Sequence, residues 1–144
     1  MDLQDYITFA NEHPVCQLAT IEGDQPRVRT LLLWYADESG FYFQTLSPKD
    51  MAKQLQENPK VELCFYNNPA DLADGIQMRL TGEVELLKDE ETLAKAYEAR
   101  AWVDDIVGRS TETLVQPFRI ATGEAHFWTM ADVLREPELE RITF

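Results

Sequence analysis

Positively charged side chains recur in pairs at spacings that would let them hold an anion. Arg27 and Arg29 are two residues apart in a strand-like run, so both side chains project from one face of the strand. Lys49 and Lys53 are four residues apart in a predicted short helix, which again places them on one face. That helix begins at Ser47, and the free N–H groups and dipole at such an end favour an anion. Together these donors predict a site for a phosphomonoester.

Each of these pairs also has a purely structural interpretation. Arg27 and Arg29 could form ion pairs with Glu22 and Asp24 on a solvated hairpin face, and exposed ion pairs contribute little to stability. The two lysines could lie on a solvated helix face, and a Ser-Pro start is ordinary helix capping. The spacing alone leaves these alternatives open.

A second polar face is predicted on the strand that contains Gln77, Arg79 and Thr81. These residues alternate with apolar residues that would face the core. A polar strand face beside aromatic residues suits a planar ligand with hydrogen-bonding edges, although the solvent side of a half-buried strand is the alternative. The sequence contains no nucleophile triad order, Walker loop or zinc-binding spacing, so no catalytic residue and no metal ligand is assigned.

The elements that must position these side chains are predicted to be mainly strands. Runs rich in β-branched and aromatic residues predict strands at residues 15–21, 27–35, 41–45, 61–66, 76–87, 117–121 and 124–130. Turn sequences at 22–25 and 37–40, and a turn at Thr122-Gly123, predict hairpins between neighbouring strands. We therefore expect an antiparallel sheet that closes, fully or nearly, into a barrel, because open edges invite aggregation.

Short helices are predicted beside this sheet. They span about residues 3–13, 48–57 and 90–101, with Asp2, Ser47 and Asp89 as N-caps. The stretches 67–75 and 103–112 carry no assigned structure. The tail 137–144 has apolar residues at spacings that would dock on a partner surface, and a frayed terminus is the alternative.

Composition and charge restrict the function classes. The 144 residues predict a single domain, 1–144, and 44% of them are hydrophobic, which suffices for a core. Lys and Arg number 13 against 26 Asp and Glu, and the net charge of −13 argues against nucleic acid or an anionic membrane surface as partner. No signal peptide or membrane span is recognised, so a cytoplasmic location is expected. Cys16 and Cys64 are predicted to be reduced core thiols.

Four blocks of sequence follow one another along most of residues 1–130. They read ATIEGDQPRVRT at 19–30, FYFQT at 41–45, KQLQENPKVEL at 53–63 and QMRLTGE at 77–83. Together they resemble the pyridoxamine 5′-phosphate oxidase-like, FMN-binding split-barrel family, and most closely its small general stress or nitroimidazole-resistance-like members. The resemblance implies a mainly β fold with flanking helices, a six-stranded antiparallel split β-barrel. It also implies a homodimer with FMN in clefts at the dimer interface.

The resemblance further implies which residues approach the cofactor. The implied cofactor-binding residues are Arg27, Arg29, Thr30, Leu31, Gln44, Thr45, Lys49, Lys53 and Gln77. The two arginines and Lys49 would hold the phosphate, to which Lys53 could also contribute, and the other residues would address the ring, with Gln77 reaching it from the other subunit. No residue stands out as a general acid or base.

The chain departs from the oxidases' pattern at named positions. Lys49, Asp50 and Met51 stand where the oxidases carry a Ser-Arg-Lys run, and Trp34 stands where a lysine is expected. No counterpart of their basic C-terminal substrate-binding segment is recognised, which argues against vitamin B6 oxidation. The predicted function is an FMN-dependent oxidoreductase. The alternatives are a non-catalytic module that holds FMN, haem or another cofactor as a sensor or carrier, and a cofactor-free dimer.

Overall fold

The computed structural model describes residues 1–108 and 114–144. The helices and strands in chain order are α1 (Leu3–Glu12), β1 (Val15–Glu22), β2 (Gln25–Leu32), β3 (Tyr35–Asp37), β4 (Gly40–Ser47), α2 (Asp50–Glu57), β5 (Lys60–Tyr66), β6 (Ile76–Leu86), α3 (Glu90–Ala99), α4 (Ala101–Val107), β7 (Leu114–Thr129) and β8 (Ile142–Thr143). Single 3-10 turns lie at Leu72–Asp74, Met130–Asp132 and Glu136–Glu138. Every helix in the described residues is too short or too polar to cross a membrane.

The strands of the described residues form one antiparallel sheet in the order β2-β1-β5-β6-β7-β4-β3, with β8 paired to β7. The two end strands, β2 and β3, are consecutive in the chain and separated only by Leu33 and Trp34. The N–H of Leu33 donates to Pro14 O at 2.8 Å, and that of Trp34 donates to Tyr42 O at 2.8 Å. The sheet must therefore curl until its two end strands meet. The predicted mainly β fold with flanking helices is confirmed. The sheet has eight strands where six were implied, and β3 and β8 are very short.

The core lies on the concave face of the sheet, which we call the inner face. Its largest fully buried side chains include Tyr6, Phe41, Phe43, Phe65 and Phe118. Tyr6 comes from α1, which begins at Asp2 as predicted, and Asp2 and Asp5 form a capping box there. Buried and exposed residues alternate along β1 and β5, as a sheet with one packed face requires.

The two cysteines are free, and they lie on opposite faces of the sheet. Cys16 is fully buried in the core, and burial raises the pKa of its thiol to about 12. Cys64 is only half-buried, on the outer face opposite Arg79 of β6. The prediction of a reduced core thiol is therefore confirmed for Cys16, whereas Cys64 lies outside the core.

The predicted strand at 27–35 is wrong in one respect, because the structure divides it into β2 and β3. The run of leucines at 31–33 has no polar and apolar alternation, so no local pattern indicates a break there. At Leu33, which is buried, the chain leaves its pairing with β1 and begins to pair with β4.

The predicted turn at Thr122-Gly123 is also wrong, because β7 continues through it as one strand. Gly123 faces Gly82 of β6 across the ladder, and the register shifts just beyond that pair. A Cβ on Gly123 would lie 1.9 Å from Thr81 O, so this glycine permits a close approach of two strands and not a reversal of the chain.

The predicted N-cap of α2 is displaced as well. Ser47 still belongs to β4, where it pairs with Leu114 of β7, so it cannot also cap the helix. The cap is Lys49, which offers no side-chain hydrogen bond, and the helix begins at Asp50. The cap of α3 is Asp89 as predicted, and its carboxylate accepts from the N–H of Thr92 at 2.9 Å.

The helical region after α3 and the tail have more structure than the sequence predicted. The predicted helix at 90–101 ends at Arg100, and α4 follows it directly. Of the unassigned stretch 103–112, residues 109–112 lie outside the described residues. The tail returns to its own sheet, because β8 pairs with Glu124 and Ala125 and Phe144 packs edge-on against Phe41.

Candidate functional site

A cavity of about 270 Å³ lies between the β2–β3 connection, the end of β4 and the helices α3 and α4. Its walls are mainly apolar, with a few polar side chains among them. The lining residues are Leu31, Leu32, Leu33, Trp34, Gln44, Thr45, Leu46, Lys49, Ala99, Arg100, Trp102 and Val103. An apolar pocket with a small number of polar groups is the usual form of a small-molecule site.

The polar groups of this cavity are positioned by β4 and the turn that follows it. Thr45 is 3% exposed, and its Oγ1 is buried without a hydrogen-bond partner among the described residues. A buried hydroxyl is normally hydrogen-bonded, so one that lacks a partner in a cavity wall can bind a ligand. Gln44 beside it is half-buried, and Lys49 at the edge is exposed. Thr45, Gln44 and Lys49 are thus the polar residues that β4 and the turn after it contribute to the cavity lining.

The opposite wall of the cavity is formed where α3 meets α4. Arg100 is buried, and its Nη2 lies 2.9 Å from Asp104 Oδ1 in an ion pair one turn apart. Its guanidinium also lies over the ring of Tyr97, 6.0 Å from the centroid. These contacts fix the junction of the two helices and present Trp102, which is 58% exposed, at the cavity. A large exposed aromatic side chain on a short helix is typical of a contact surface.

A polar cluster, buried at Thr20 and Gln54, joins β1, β2 and α2. Arg29 Nη1 donates to Thr20 Oγ1 at 2.7 Å, and its Nη2 donates to Gln54 Oε1 at 2.5 Å. The Thr20 hydroxyl donates to the same Gln54 oxygen at 2.5 Å, and Gln54 Nε2 donates to Glu22 at 3.2 Å. Burial lowers the pKa of Arg29, an effect that the Asp50 carboxylate opposes. The cluster holds the Arg29 guanidinium against Gln54 in the middle of α2.

A family model described as pyridoxamine 5′-phosphate oxidase matches residues 4–129. The chain belongs to the pyridoxamine 5′-phosphate oxidase family. A relative from Agrobacterium fabrum named pyridoxine/pyridoxamine 5′-phosphate oxidase is 36% identical over 62% of this chain and 41% of its own length. This chain therefore spans less than half of that relative.

Solved structures share the fold over nearly the whole chain. A NimC/NimA family protein from Clostridium acetobutylicum has a TM-score of 0.74 and 27% identity over 99% of this chain and 93% of its own. A FAD-binding protein from Mesorhizobium loti has a TM-score of 0.66 and 16% identity over 87% of this chain and 94% of its own. The second likeness shows the fold alone.

The cavity of this family member brings together four of the nine predicted site residues, namely Leu31, Gln44, Thr45 and Lys49. The other five lie outside its lining. Arg29 lies on the inner face in the polar cluster, whereas Thr30 lies on the opposite face of the same strand because side chains alternate. Their roles toward a cofactor stay predictions.

The remaining three predicted residues outside the cavity lining contact other parts of the chain or are exposed to solvent. Arg27 Nη2 lies 3.0 Å from Glu22 Oε1, which is the ion pair that the structural interpretation of its spacing described. Lys53 is exposed on α2. Gln77 lies on the outer face of β6, where its Oε1 accepts from Arg79 Nε at 3.3 Å and from Cys64 Sγ at 3.8 Å.

Sequence reasoning missed the contribution of α3 and α4 to the cavity. Arg100 and Trp102 lie at the end of a predicted helix whose continuation had no assigned structure. Their signal was the Trp102-Val103 pair in an otherwise acidic helical stretch, because a solvated helix has no need of a tryptophan. Trp34 stands in the sequence analysis as a departure from the family pattern, and the structure places it in the cavity wall.

Proposed function

We propose that the cavity binds the ring of a flavin, that the flavin is FMN, and that the protein is an FMN-dependent oxidoreductase. The single observation that carries this proposal is the unpaired Oγ1 of Thr45 in an apolar cavity. Membership of the pyridoxamine 5′-phosphate oxidase family and the FAD-binding name of the Mesorhizobium loti structure support a flavin.

The residues of the cavity fit such a ligand. The isoalloxazine ring is planar and has hydrogen-bonding edges, which Thr45 and Gln44 can address while Leu31 and Trp34 contact its apolar parts. Lys49 at the edge of the cavity would lie nearest to a phosphate. The predicted contact of Gln77 with a flavin of the other subunit remains part of this proposal.

The chain's part in the reaction is to bind, orient and exclude water. A bound flavin supplies the electron-transfer chemistry. Within the described residues, the cavity lining contains no carboxylate, imidazole or thiol, so none of its side chains is assigned to move a proton. The leucines and tryptophans of the lining would keep water from the reacting face.

We also propose that a second copy of the chain completes the site. A volume of about 270 Å³ lies just below the range of roughly 300–1,000 Å³ that is typical of ligand pockets. The outer face of the adjoining hairpin is apolar and exposed, with Val28 at 70%, Leu32 at 53% and Val15 at 47%. Apolar side chains grouped on a strand face favour association with another chain.

Haem binding and vitamin B6 oxidation are less well supported than flavin binding. Haem needs an axial ligand such as histidine, cysteine, methionine or tyrosine, and the described lining of the cavity holds none of these. Oxidation of a vitamin B6 phosphate is an activity of relatives more than twice the matched length, so it is not carried over to this chain.

Titration of the purified protein with FMN, followed by visible absorption, tests the proposal. We expect a perturbed flavin spectrum that saturates at about one FMN per chain. Thr45→Val should weaken binding about five- to tenfold, which corresponds to about 1–1.4 kcal/mol for one hydrogen bond. Thr122→Val, at an exposed position in β7, is the matched control and should change nothing.

Each result has a defined meaning. An unperturbed FMN spectrum with the wild-type protein would overturn the proposal. Binding that Thr45→Val leaves unchanged would place the flavin outside this cavity. Tight FMN without turnover in the presence of reduced nicotinamides and a panel of electron acceptors would favour the carrier function over the oxidoreductase.

A further inference from the structure

A buried cation lines the cavity, on the wall that α3 and α4 form. Arg100 is 6% exposed, and no other lysine or arginine among residues 1–108 and 114–144 is buried. A buried guanidinium in a ligand cavity ordinarily selects an anion, because it offers charge-assisted hydrogen bonds where little water competes. The ligand that this wall accepts therefore depends on whether the charge of Arg100 is available.

The charge of Arg100 is compensated within the chain. Its Nη2 lies 2.9 Å from Asp104 Oδ1, and the two side chains are only 7% and 17% exposed, so salt and water screen this ion pair little. Both residues belong to the junction of α3 and α4, one turn apart, so the pair forms without a ligand. A ligand at this wall therefore meets an ion pair with no net charge and not a free cation.

Beyond this ion pair the wall is apolar and aromatic. Trp102 and Val103 continue it along α4, and Trp34 lines the cavity from the β2–β3 connection. Trp102 is 58% exposed, so its ring is open to contact by a ligand, and one aromatic ring favours another in stacked or edge-to-face contact. Lys49, the other charged residue of the lining, is exposed and is the residue proposed to lie near the phosphate of the flavin.

We infer that the wall formed by α3 and α4 binds an uncharged aromatic compound and discriminates against an anionic one, and that Asp104 sets this preference by neutralising Arg100. An anion would lose hydration at this wall without gaining a free cation, which costs free energy. This inference rests on the proposed function, in which the cavity holds a flavin, and it names the class of substrate that meets the flavin there.

Isothermal titration calorimetry of the FMN-loaded protein with two probes tests this inference. Naphthalene-2-sulfonamide is uncharged, and naphthalene-2-sulfonate is an anion with the same ring system. We expect the wild-type protein to bind the sulfonamide at least about tenfold more tightly than the sulfonate. Asp104→Asn should tighten the sulfonate about tenfold and change the sulfonamide less than about threefold, since one charge freed at close range acts on this scale. Asp105→Asn, the same change at the exposed neighbouring position, is the matched control and should alter neither.

A second variant tests the inference should Asp104→Asn unfold, because a buried arginine without its partner is strongly destabilising. The double variant Arg100→Met with Asp104→Leu removes both charges and keeps the site apolar. The inference predicts that its ratio of the two dissociation constants stays within about threefold of the wild-type ratio. A loss of sulfonate affinity of about tenfold or more in the double variant would show that Arg100 attracts anions, and would overturn the inference.

Saturation with FMN is measured first, by visible absorption, so that two failures can be told apart. If FMN does not bind, the proposed function fails, and the two probes titrated into the flavin-free protein test the wall by itself. If FMN binds, equal affinities of the wild-type protein for the two probes, tighter binding of the sulfonate, or no binding of the sulfonamide overturns the inference alone. An equal change of both affinities in Asp104→Asn would also overturn it.

Discussion

The hydrogen-bonded cluster around Gln54 should be a main source of stability at the α2 end of the sheet. Gln54 is 3% exposed, and its oxygen accepts from both Thr20 and Arg29 while its nitrogen donates to Glu22. We expect Gln54→Ala to destabilise the protein strongly, because the substitution removes all three hydrogen bonds and leaves the buried hydroxyl of Thr20 without its acceptor.

The size of the effect follows from these contacts. Leaving a buried polar group unsatisfied costs about 1–3 kcal/mol, and more where a charged group is involved. The Thr20 hydroxyl is 1% exposed, so water cannot replace the lost acceptor, whereas the half-buried Arg29 can recover part of its loss from solvent. The expected decrease in the free energy of unfolding is therefore about 2–4 kcal/mol.

Urea denaturation at one fixed protein concentration measures this change. Gln56→Ala is the matched control, because it removes the same side chain from an exposed position of the same helix and should change the free energy by less than about 0.5 kcal/mol. If Gln54→Ala were no more destabilising than Gln56→Ala, the cluster would not hold α2 against the sheet, and the account of how Arg29 is positioned would be wrong.

Further predictions concern two residues in the middle of the β6–β7 ladder, Gly123 and His126. Gly123→Ala should lower the free energy of unfolding by about 2 kcal/mol or more, measured by thermal or urea denaturation. The new Cβ would lie 1.9 Å from Thr81 O, a backbone atom, so the two strands would have to separate. His126 should make stability fall as the pH drops below about 6.5. Burial and the charges of Arg141 and Arg79 lower the pKa of His126, so the unfolded chain binds a proton that the folded chain resists.

The controls for both predictions lie in β7 itself. Thr122→Ala, beside the glycine at an exposed position, should leave stability nearly unchanged. His126→Gln should flatten the dependence of unfolding free energy on pH in the range from about 6.5 downward to the lowered pKa of the folded state. A Gly123→Ala variant as stable as Thr122→Ala, or a pH dependence that His126→Gln leaves intact, would contradict the packing described.

The sequence predicted the fold well wherever a local pattern is compatible with only one local structure. The capping of α1 by Asp2 and of α3 by Asp89, and the hairpins of β1 with β2 and of β3 with β4, follow from turn and capping chemistry. Gly123 shows the limit of such patterns. A glycine permits either a turn or a close strand approach, and only the neighbouring strand β6 decides between them.

The candidate site could be predicted only in part, because some of its residues are brought there by contacts between elements distant in sequence. Thr45 and Lys49 follow from the family resemblance at the end of β4, and the structure places both in the cavity lining. Arg100 and Trp102 come from helices distant in sequence, and no local pattern indicates that they pack against the β2–β3 connection. The engagement of Arg29 by Gln54 also depends on tertiary contacts between α2 and the hairpin.

A crystal structure of the protein grown with FMN tests whether the cavity is the flavin site. We expect flavin density in the cavity, in contact with Thr45 and Trp34, with the phosphate end toward Lys49. Flavin bound at another surface, with this cavity unchanged, would contradict the account.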